Sequence, residues 1–520
     1  MISRSLHLLK NCKNITQLKQ AHALIITSGL ETNDFALSRI LEFCSNPSQN
    51  ALSYAYKIFI NIQTPTICVC NTMMKSFFLK DENHRTMEIY RLILRHNLLP
   101  DSYTLTCALK ACANMDKSLN LGKSIHGHGV RLGYVFDNFV GNTLIAMYSN
   151  FDEMGSAKMA FDEIFSPCVI SWTVLISGYM KNGDVYSARL VFDGAHLKDR
   201  GVWGAMLSGY VQNNCFKEGL QLFRSMQMSG VKPDEACFLS VLCACANLGS
   251  LEIGKWVHRY VEKVKMVVGV KLGTALIDMY SKCGCLDMAE KVFDKMPQRD
   301  VICWSTMISG YAMNGDGEGA LRLFDEMERS GIRPDSVTFI SLFTACSYSD
   351  MAQVGLHLLH VMCNVYHIEP KSEHYGCIID LLSRARLIEE ANAIIHKMPI
   401  LSSTCEEAIA WRALLSACCS HGRVDLAEAA AERLGVLENH SGAYVLLSNA
   451  YAAQGRYSDA QRVRKMMRKR GVEKTPGCSS VEIDGIVHEF IAGEMTHLQM
   501  DEIYEVLEGI RKQLEPVDRI

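Results

Sequence analysis

Four side chains of the types that bind zinc lie close together in this sequence: His357, His360, Cys363 and His367. They fall at positions i, i+3, i+6 and i+10, a spacing that could seat a metal ion. A helix with a polar face exposed to solvent explains the same pattern more simply, and we prefer that interpretation. The sequence therefore predicts no metal site and no bound cofactor.

The chemistry of a zinc deaminase is only half represented. Such an enzyme needs a His or Cys ligand, a Glu two residues later and a Pro-Cys-x-x-Cys pair. The sequence His367-Ile-Glu-Pro370 matches the first half, but no Cys-x-x-Cys occurs in the chain. No Ser-His-Asp order, phosphate-binding loop or dinucleotide fingerprint is present either. We therefore expect no enzymatic activity from this chain alone.

Composition excludes several other classes of protein. The 520 residues carry 53 Lys and Arg against 56 Asp and Glu, a net charge of −3, which excludes a polybasic protein. Hydrophobic residues make up 48%, too many for a disordered chain. The longest uncharged stretch, Met351–Ile368, is too polar to span a bilayer. The 21 cysteines, many of them in apolar periodic stretches, indicate reduced thiols in an intracellular compartment.

Charge is distributed unevenly along the chain. Before Glu31 the only charged side chains are basic, which hints at an organellar address. Arg456–Lys474 contains eight bases and two acids, either a solvated helix face or a surface that contacts phosphates. Residues 476–520 carry a local charge of −7, and the acidic helix predicted at Asp501–Leu514 is either a docking surface or a soluble end.

Three segments of the chain align with one another, beginning at Val169, Gly201 and Val301. Each contains an aromatic residue, an apolar pair, Ser-Gly-Tyr and then a polar turn with Asn. Apolar residues recur at helical spacing on both sides of the turn. Asp184 and Asp316 follow a turn glycine, where an N-cap acceptor is favoured. The repeated unit is therefore predicted to be a helix-turn-helix hairpin.

The hairpins alternate between long and short units. Long units close with Gly-x-x-Pro-Asp, at 230–234 and 331–335, and short units close with endings such as Met296-Pro-Gln-Arg-Asp300. One hairpin cannot bury its apolar stripe alone, so neighbouring hairpins must stack into an all-α superhelix. The units run 67–101, 102–137, 138–168, 169–199, 200–234, 235–269, 270–300, 301–335 and 336–371, with lengths of 35, 36, 31, 31, 35, 35, 31, 35 and 36 residues.

A 35-residue hairpin that ends in Lys-Pro-Asp resembles the pentatricopeptide repeat. The alternation of long and short units, with segments such as Ala244–Lys255 and Ala275–Gly284, is similar to the PLS variety of land-plant organelle proteins. The resemblance implies a right-handed superhelical α-solenoid and assigns residues 1–403 to an array of about twelve units. The alternative, a tetratricopeptide array, has a period of about 34 residues and does not explain the shorter units.

The carboxyl-terminal part resembles the paired E units that end editing-type members of this family. Trp411–Cys418 and Tyr444–Gly455 carry this similarity and assign residues 404–475 to two E-type units. About four extra residues in Ile400–Glu407 depart from the usual spacing, which affects the register between the last repeat and the first E unit.

A further similarity covers residues 476–520. Pro476–Gly485 and Val487–Phe490 look like the segment that leads into the DYW cytidine deaminase domain, so this stretch is assigned as a truncated E+-like segment. It departs from the family pattern because Ser480 stands where an aromatic residue is usual, and because the sequence stops at Ile520.

In this family each unit binds one base through its fifth and last residues, so hydroxyl plus Asp implies guanine and Asn plus Asp implies uracil. Apolar second residues, Ile170 and Ile302, could sandwich bases, whereas Gly201 offers no such surface. A single Thr or Asp is more often a helix cap, but recurrence in five units favours base contact. The pairs are Asn71/Asp101, Thr106/Asp137, Asn142/Cys168, Thr173/Asp199, Thr274/Asp300 and Ser305/Asp335, with Gly204/Asp234 as a half-pair, while Leu239/Gly269 and Ile340/Lys371 lack a polar fifth side chain.

These resemblances imply a sequence-specific single-stranded RNA-binding protein that selects sites for organellar C-to-U editing. The implied partners are organellar RNA, a DYW-type deaminase in trans and editing accessory proteins. The alternatives are a factor for RNA stability, splicing or translation without an editing role, and a protein-binding scaffold. We expect a monomer in the mitochondrion, with the plastid as the alternative, and no association with a membrane.

Overall fold

The computed structural model of the chain is almost entirely helical. Its described residues form 28 α-helices, one 3-10 helix and one two-stranded sheet. The predicted all-α solenoid fold is confirmed, and the small sheet is an addition that the sequence patterns did not predict. None of the described helices is both long and apolar enough to cross a bilayer. The described residues are 9, 12–30, 33–46, 51–264, 266–396, 404–437, 440–472, 477–483, 486–493 and 499–514.

The first compact unit comprises residues 1–215 with 222–237. The first helices of successive hairpins pack on one another here: α4 on α6, α6 on α8, α8 on α10 and α10 on α12. Helix α13 (Phe216–Met228) contributes residues 222–228 to this unit. The helices are α1 (Ile15–Thr27), α2 (Asp34–Ser45), α3 (Leu52–Ile60), α4 (Ile67–Phe78), α5 (Asn83–Arg95), α6 (Ser102–Ala113), α7 (Leu119–Arg131), the 3-10 helix Tyr134–Phe136, α8 (Asn138–Asn150), α9 (Met154–Asp162), α10 (Val169–Lys181), α11 (Val185–Gly194) and α12 (Arg200–Gln212).

The second compact unit comprises residues 216–221 with 238–520. The same packing of first helices recurs, with α16 on α18, α18 on α20, α20 on α22 and α22 on α24. The helices are α14 (Glu235–Leu248, of which residues 238–248 lie here), α15 (Leu251–Lys263), α16 (Val270–Lys282), α17 (Leu286–Lys295), α18 (Val301–Met313), α19 (Gly317–Arg329), α20 (Ser336–Tyr348), α21 (Ala352–Asn364), α22 (Ser372–Arg384), α23 (Ile388–Ile395), α24 (Thr404–Ser420), α25 (Val424–Leu437), α26 (Ser441–Ala453) and α27 (Tyr457–Lys469).

The turns inside the hairpins follow the predicted N-cap pattern. The Asp184 carboxylate accepts a hydrogen bond from the Ser187 backbone N–H at 2.9 Å, at the start of α11. Asp316 accepts from the Gly319 backbone N–H at 2.7 Å, at the start of α19. The preceding Gly315 has a φ of 77°, a left-handed conformation that glycine adopts without steric cost. The predicted caps are therefore confirmed.

The glycine of the repeated Ser-Gly-Tyr motif lies where two first helices approach closely. A β-carbon on Gly178 would lie 2.3 Å from Ser149 Oγ, and one on Gly310 would lie 2.4 Å from Ser281 Oγ. Real β-carbons do not approach other heavy atoms so closely, so a larger residue would require the serine side chain or its helix to shift. The motif therefore sets the spacing between hairpins.

The hydrophobic core lies between the packed helices, and each hairpin adds buried apolar residues to it. One contact recurs wherever a short hairpin precedes the next first helix. The Phe161 and Trp172 rings lie 4.8 Å apart, edge to face, and the Phe293 and Trp304 rings lie 4.9 Å apart in the same arrangement. Edge-to-face pairs are a preferred aromatic geometry. Each such pair joins one hairpin to the next.

The segment after α27 differs from the repeats. Strand β1 (Cys478–Ile483) pairs antiparallel with β2 (Ile486–Ile491), with Cys478 opposite Ile491. The acidic helix expected near 501–514 is α28 (Met500–Leu514).

Candidate nucleic-acid interface

The aspartate at the last position of a unit lies at the N-cap of the first helix of the next unit. Asp335 Oδ1 accepts a hydrogen bond from the Thr338 backbone N–H at 2.9 Å, and Asp300 Oδ1 accepts from the Cys303 backbone N–H at 2.9 Å. One carboxylate oxygen of each aspartate therefore stabilises a helix start. The other aspartates that accept such a bond are Asp101, Asp137, Asp199 and Asp234.

The structure brings Asn71 and Asp101 into direct contact. Asn71 Nδ2 donates to Asp101 Oδ1 at 3.1 Å and to Oδ2 at 3.0 Å. Thr104 Oγ1 donates to Asn71 Oδ1 at 2.7 Å and lies 2.8 Å from Asp101 Oδ1. Both ends of the Asn71 amide are therefore occupied, and its orientation is fixed by two partners from the next hairpin.

Ser305 and Asp335 meet through a third side chain. Ser305 Oγ lies 2.7 Å from Thr338 Oγ1, and Thr338 Oγ1 donates to Asp335 Oδ1 at 2.9 Å. Thr338 also accepts a hydrogen bond from the Asp335 backbone N–H at 3.1 Å. The two proposed base-contacting groups thus belong to one hydrogen-bonded chain.

The hydroxyls of the threonines at the fifth position bond to their own helices. Thr173 Oγ1 donates to the Val169 carbonyl at 2.9 Å, and Thr274 Oγ1 donates to the Val270 carbonyl at 2.8 Å. A β-carbon built on Gly201 would lie 3.2 Å from Asp199 Oδ1 and 3.8 Å from Thr173 Oγ1, so that pair flanks Gly201.

The remaining two threonine pairs are not joined directly. Thr106 Oγ1 donates to the Tyr103 carbonyl at 2.9 Å, and Asp137 bonds instead to the backbone of its own helix start. Thr274 Oγ1 lies 2.9 Å from Cys303 Sγ. The backbone N–H of Cys303 donates a hydrogen bond to Asp300 Oδ1. In these units the fifth residue therefore bonds to its own helix, and the last residue bonds to the backbone at the start of the next first helix.

The Asn142/Cys168 pair is held by a weak contact. Asn142 Nδ2 lies 3.8 Å from Cys168 Sγ, and Asn142 Oδ1 is buried without a hydrogen-bond partner among the described residues. Burial raises the pKa of the Cys168 thiol, but hydrogen bonds from the Ser171 side chain and backbone, from Asn142 and from the Ile170 backbone outweigh it and lower that pKa below its ordinary value. These hydrogen bonds therefore stabilise the thiolate form of Cys168 at the start of α10 relative to a free thiol.

Burial divides the fifth residues from the second residues. Ser305 is only 4% exposed, Thr106 2% and Asn71 8%. These fifth residues are therefore buried side chains that do not project into solvent. Ile170 and Ile302 are largely exposed, as a residue that sandwiches a base must be. Three further exposed apolar residues occupy the second position and were missed from the sequence, although the unit boundaries alone place them there: Tyr103, Phe139 and Val337.

One open cavity joins these features. It has a volume of about 390 Å³ and lies between Phe139 and Ile170, the second residues of consecutive units. Asn142, a fifth residue, is part of its lining, and so is Lys110, whose ammonium lies 5.6 Å from the centre of the Phe139 ring. An aromatic face, an aliphatic face, an amide and a cation thus surround one space.

Two other sequence features have structural partners. His360 Nδ1 bonds to Asn364 Nδ2 at 2.9 Å on α21, and no group of three metal-binding side chains suited to a metal ion occurs within the described ranges.

In the basic run of α27, Arg464 Nε donates to Ser448 Oγ at 2.8 Å and Arg470 Nη1 donates to the Tyr444 hydroxyl at 2.7 Å. These two bonds therefore join α27 and the residue after it to α26, the other helix of the same hairpin.

Comparison with family models gives matches to repeat segments between residues 170 and 430. The model described as "PPR repeat family" matches residues 198–247 and 299–347, and "PPR repeat" matches 170–194, 274–301, 373–400 and 409–430. The model described as "E motif" matches residues 421–482.

Several Arabidopsis thaliana proteins are similar over nearly the whole chain. The pentatricopeptide repeat-containing protein At2g20540 is 42% identical over 96% of this chain and 93% of its own length. The protein At1g08070, chloroplastic, is 34% identical over 98% of this chain and 82% of its own length.

Among solved structures, the pentatricopeptide repeat protein PPR10 from maize is similar in fold, with a TM-score of 0.57 at 13% identity over 98% of this chain and 78% of that one. The same protein in complex with an 18-nt psaJ RNA element gives a TM-score of 0.56 at 13% identity, over 99% of this chain and 78% of that one.

Proposed function

The chain belongs to the pentatricopeptide repeat family, and on that basis we propose that it binds single-stranded RNA in a sequence-specific manner. The observation that carries the proposal is the cavity between Phe139 and Ile170, lined also by Asn142 and Lys110. Stacking surfaces, a hydrogen-bonding amide and a cation are the groups that bind an unstacked base and its phosphate. The likeness in fold to PPR10, solved with an RNA element, agrees with this chemistry.

Base selection in this proposal rests on the fifth and last residues of each unit. The free carboxylate oxygen of Asp199, Asp300 or Asp335 accepts a hydrogen bond from a donor on the base, while the fifth residue supplies the second contact. Hydroxyl with Asp selects guanine, and Asn71 with Asp101 selects uracil. The remaining members of the proposed set are Thr106, Asp137, Asn142, Thr173, Asp234, Thr274, Ser305, Ile170 and Ile302, joined by Tyr103, Phe139 and Val337.

We further propose that the bound RNA is an editing substrate. The match to the E motif at residues 421–482 supports membership in the editing-type branch. In this proposal residues 1–403 select the site, 404–475 form two E-type units and 476–520 form an E+-like segment. A DYW-type deaminase in trans, with accessory proteins, performs the conversion of cytidine to uridine, because the 520 residues contain no Cys-x-x-Cys pair for zinc.

The proposed site of action is an organelle. We favour the mitochondrion, since editing-type members that lack a complete deaminase are common there, and the names of three plastid relatives make the plastid the alternative. A fluorescent fusion of the full chain in plant cells tests this directly, and signal confined to plastids would reject the mitochondrial assignment.

Two measurements test the function itself. A random pool of single-stranded RNA selected on the full chain should yield a consensus, whereas equal retention of all sequences would contradict sequence-specific binding. Sequencing of organellar RNA from a loss-of-function line should then reveal one or a few unedited cytidines downstream of a matching sequence. Altered transcript ends or introns with normal editing would instead support a stability or splicing factor.

A further inference from the structure

Two threonines contact both the fifth and the last residue of a unit, although they occupy neither of these positions themselves. Thr104 lies three residues after Asp101, and Thr338 lies three residues after Asp335. Both threonines are fully buried, and each hydroxyl touches the fifth residue of the preceding unit and the last residue as well. They are therefore placed to determine how the two base-contacting groups present their hydrogen-bonding atoms.

The protons around Thr338 can be assigned from the geometry. A hydroxyl has one proton to donate and two lone pairs. Thr338 Oγ1 donates to Asp335 Oδ1 at 2.9 Å and accepts from the Asp335 backbone N–H at 3.1 Å. Because the carboxylate is charged, it is the stronger acceptor for that proton. The 2.7 Å contact between Ser305 Oγ and Thr338 Oγ1 must then be donated by Ser305.

This assignment leaves Ser305 as a pure acceptor. The single hydroxyl proton of Ser305 is donated to Thr338 Oγ1, so the Ser305 oxygen can offer a base only its lone pairs. Asp335 Oδ2 likewise accepts and does not donate. The Watson–Crick edge of guanine presents two adjacent donors, N1–H and the N2 amino group, whereas adenine presents an acceptor at N1. Two adjacent acceptors on the protein therefore match guanine and oppose adenine.

In two other units the hydroxyl at the fifth position is also left as an acceptor, although no threonine occupies the place of Thr338. Thr173 and Thr274 donate their protons to backbone carbonyls of their own helices, at 2.9 and 2.8 Å. The residue in the place of Thr338 beside Thr173 is Val202, which has no hydroxyl, and beside Thr274 it is Cys303. Ser305, by contrast, has no hydrogen bond to its own helix in the described structure, so its proton depends on Thr338.

We propose, building on the proposed RNA-binding function, that Thr338 is a positioning residue that makes Ser305 an obligatory acceptor and thereby excludes adenine from that unit. Thr104 occupies the corresponding place beside Asn71, with its Oγ1 2.7 Å from Asn71 Oδ1 and 2.8 Å from Asp101 Oδ1. A hydroxyl outside the fifth, last and second positions thus contributes to base selection.

The experiment uses the full chain and a single-stranded RNA obtained by selection from a random pool. The nucleotide bound by this unit is identified as the one whose preference changes in Asp335→Asn. Binding is then titrated at fixed salt with all four bases at that nucleotide for the wild type, Thr338→Val and Thr338→Ser. For the wild type and Cys303→Val the titration varies the nucleotide bound by the Thr274/Asp300 unit, identified in the same way with Asp300→Asn. Valine is nearly isosteric with threonine, and Cys303→Val reproduces the environment that Val202 already gives Thr173.

The expected result is selective. In Thr338→Val the preference for guanine over adenine falls about tenfold, because the freed Ser305 proton can be donated to adenine N1. Thr338→Ser keeps the wild-type ratio, and Cys303→Val keeps the guanine preference of its own unit. Circular dichroism and the midpoint of thermal unfolding establish that the variants are folded.

The outcomes separate the two proposals. A wild-type chain that binds no RNA, or binds all sequences alike, overturns the proposed function and this inference with it. A wild type that discriminates while Thr338→Val keeps the full guanine preference overturns only the role of Thr338. An equal loss of affinity for all four bases in Thr338→Val also overturns it, because that result indicates packing alone.

Discussion

The Asn71 side chain is bonded to both oxygens of the Asp101 carboxylate, at 3.1 and 3.0 Å, although 30 residues separate the two in sequence. Asn71 lies on one hairpin and Asp101 caps the first helix of the next, so the contact exists only when consecutive hairpins are stacked. The fifth and last residues of this unit therefore form one hydrogen-bonded group in the protein alone, before any base is bound.

The same arrangement is incomplete in the unit that contains Asn142. Cys168→Asp should supply the missing carboxylate, because Asn142 Nδ2 now has only a sulfur acceptor at 3.8 Å. A hydrogen bond to a charged group is worth about 1.5–3 kcal/mol, so we expect about tenfold tighter binding of RNA with uracil at the corresponding nucleotide. Titration against four RNAs that differ at that nucleotide measures the effect. Cys168→Ser is the control without a charge, and equal affinities of the two variants would contradict the prediction.

Asp335 has two separable roles that two substitutions distinguish. Asn caps helices as well as Asp does, so Asp335→Asn should leave the unfolding midpoint nearly unchanged while preference moves from guanine toward adenine at one nucleotide. Asp335→Ala should cost about 0.5–2 kcal/mol of stability as well, through the lost bonds to Thr338. Denaturant titration and RNA titration read the two effects. Equal losses for all four bases in Asp335→Asn would mean that Asp335 only starts a helix.

Cys168 should titrate below its ordinary pKa in the folded chain, since its hydrogen-bond donors stabilise the thiolate. The rate of alkylation at Cys168, followed by mass spectrometry of its peptide, should rise with pH through a lower midpoint than in the chain unfolded in guanidinium. Because the folded-state pKa is the lower one, the thiolate adds stability above the unfolded-state pKa, and this contribution is lost as the pH falls through the folded-state value. Buried Cys70, whose pKa burial raises to about 12, is the internal control and should react slowly. A midpoint at Cys168 that is the same folded and unfolded would reject this assignment.

Spacing between hairpins should depend on the glycine of Ser-Gly-Tyr. In Gly310→Ala the new β-carbon meets Ser281 Oγ at 2.4 Å, so we expect a loss of about 1–3 kcal/mol in the free energy of unfolding. Gly127→Ala is the matched control, because nothing lies within 4 Å of its β-carbon and alanine favours a helix by about 0.5–1 kcal/mol. Adding Ser281→Gly to Gly310→Ala should recover part of the loss. Equal behaviour of the two alanine variants in denaturant unfolding would show that the close approach has no energetic consequence.

Stacking at the second position can be tested at Phe139, which is 51% exposed and lines the cavity with Ile170. Base–aromatic stacking is worth about 1–3 kcal/mol, so Phe139→Ala should weaken RNA binding about tenfold or more, with little dependence on which base is present. Phe165→Ala removes an aromatic ring that is 93% exposed but lies outside the second position, and it should bind RNA as the wild type does. Matching losses in the two variants would indicate non-specific contact.

The sequence by itself determined the hairpin, its turns and the fold class. Helical periodicity, the Ser-Gly-Tyr and Asn turns and the cap positions of Asp184 and Asp316 are local signals, and neighbouring residues decide them through backbone conformation and short-range hydrogen bonds. The regular recurrence of these signals also required stacking, since a single hairpin cannot bury its apolar stripe.

Only the tertiary structure decided which side chains of the candidate site touch. Asn71 bonds directly to Asp101, Ser305 reaches Asp335 through Thr338, and Thr106 bonds to its own helix instead. These differences depend on the distance between consecutive first helices and on the residue buried between them. A spacing rule along the chain contains neither quantity, because both arise where residues about thirty positions apart are packed together.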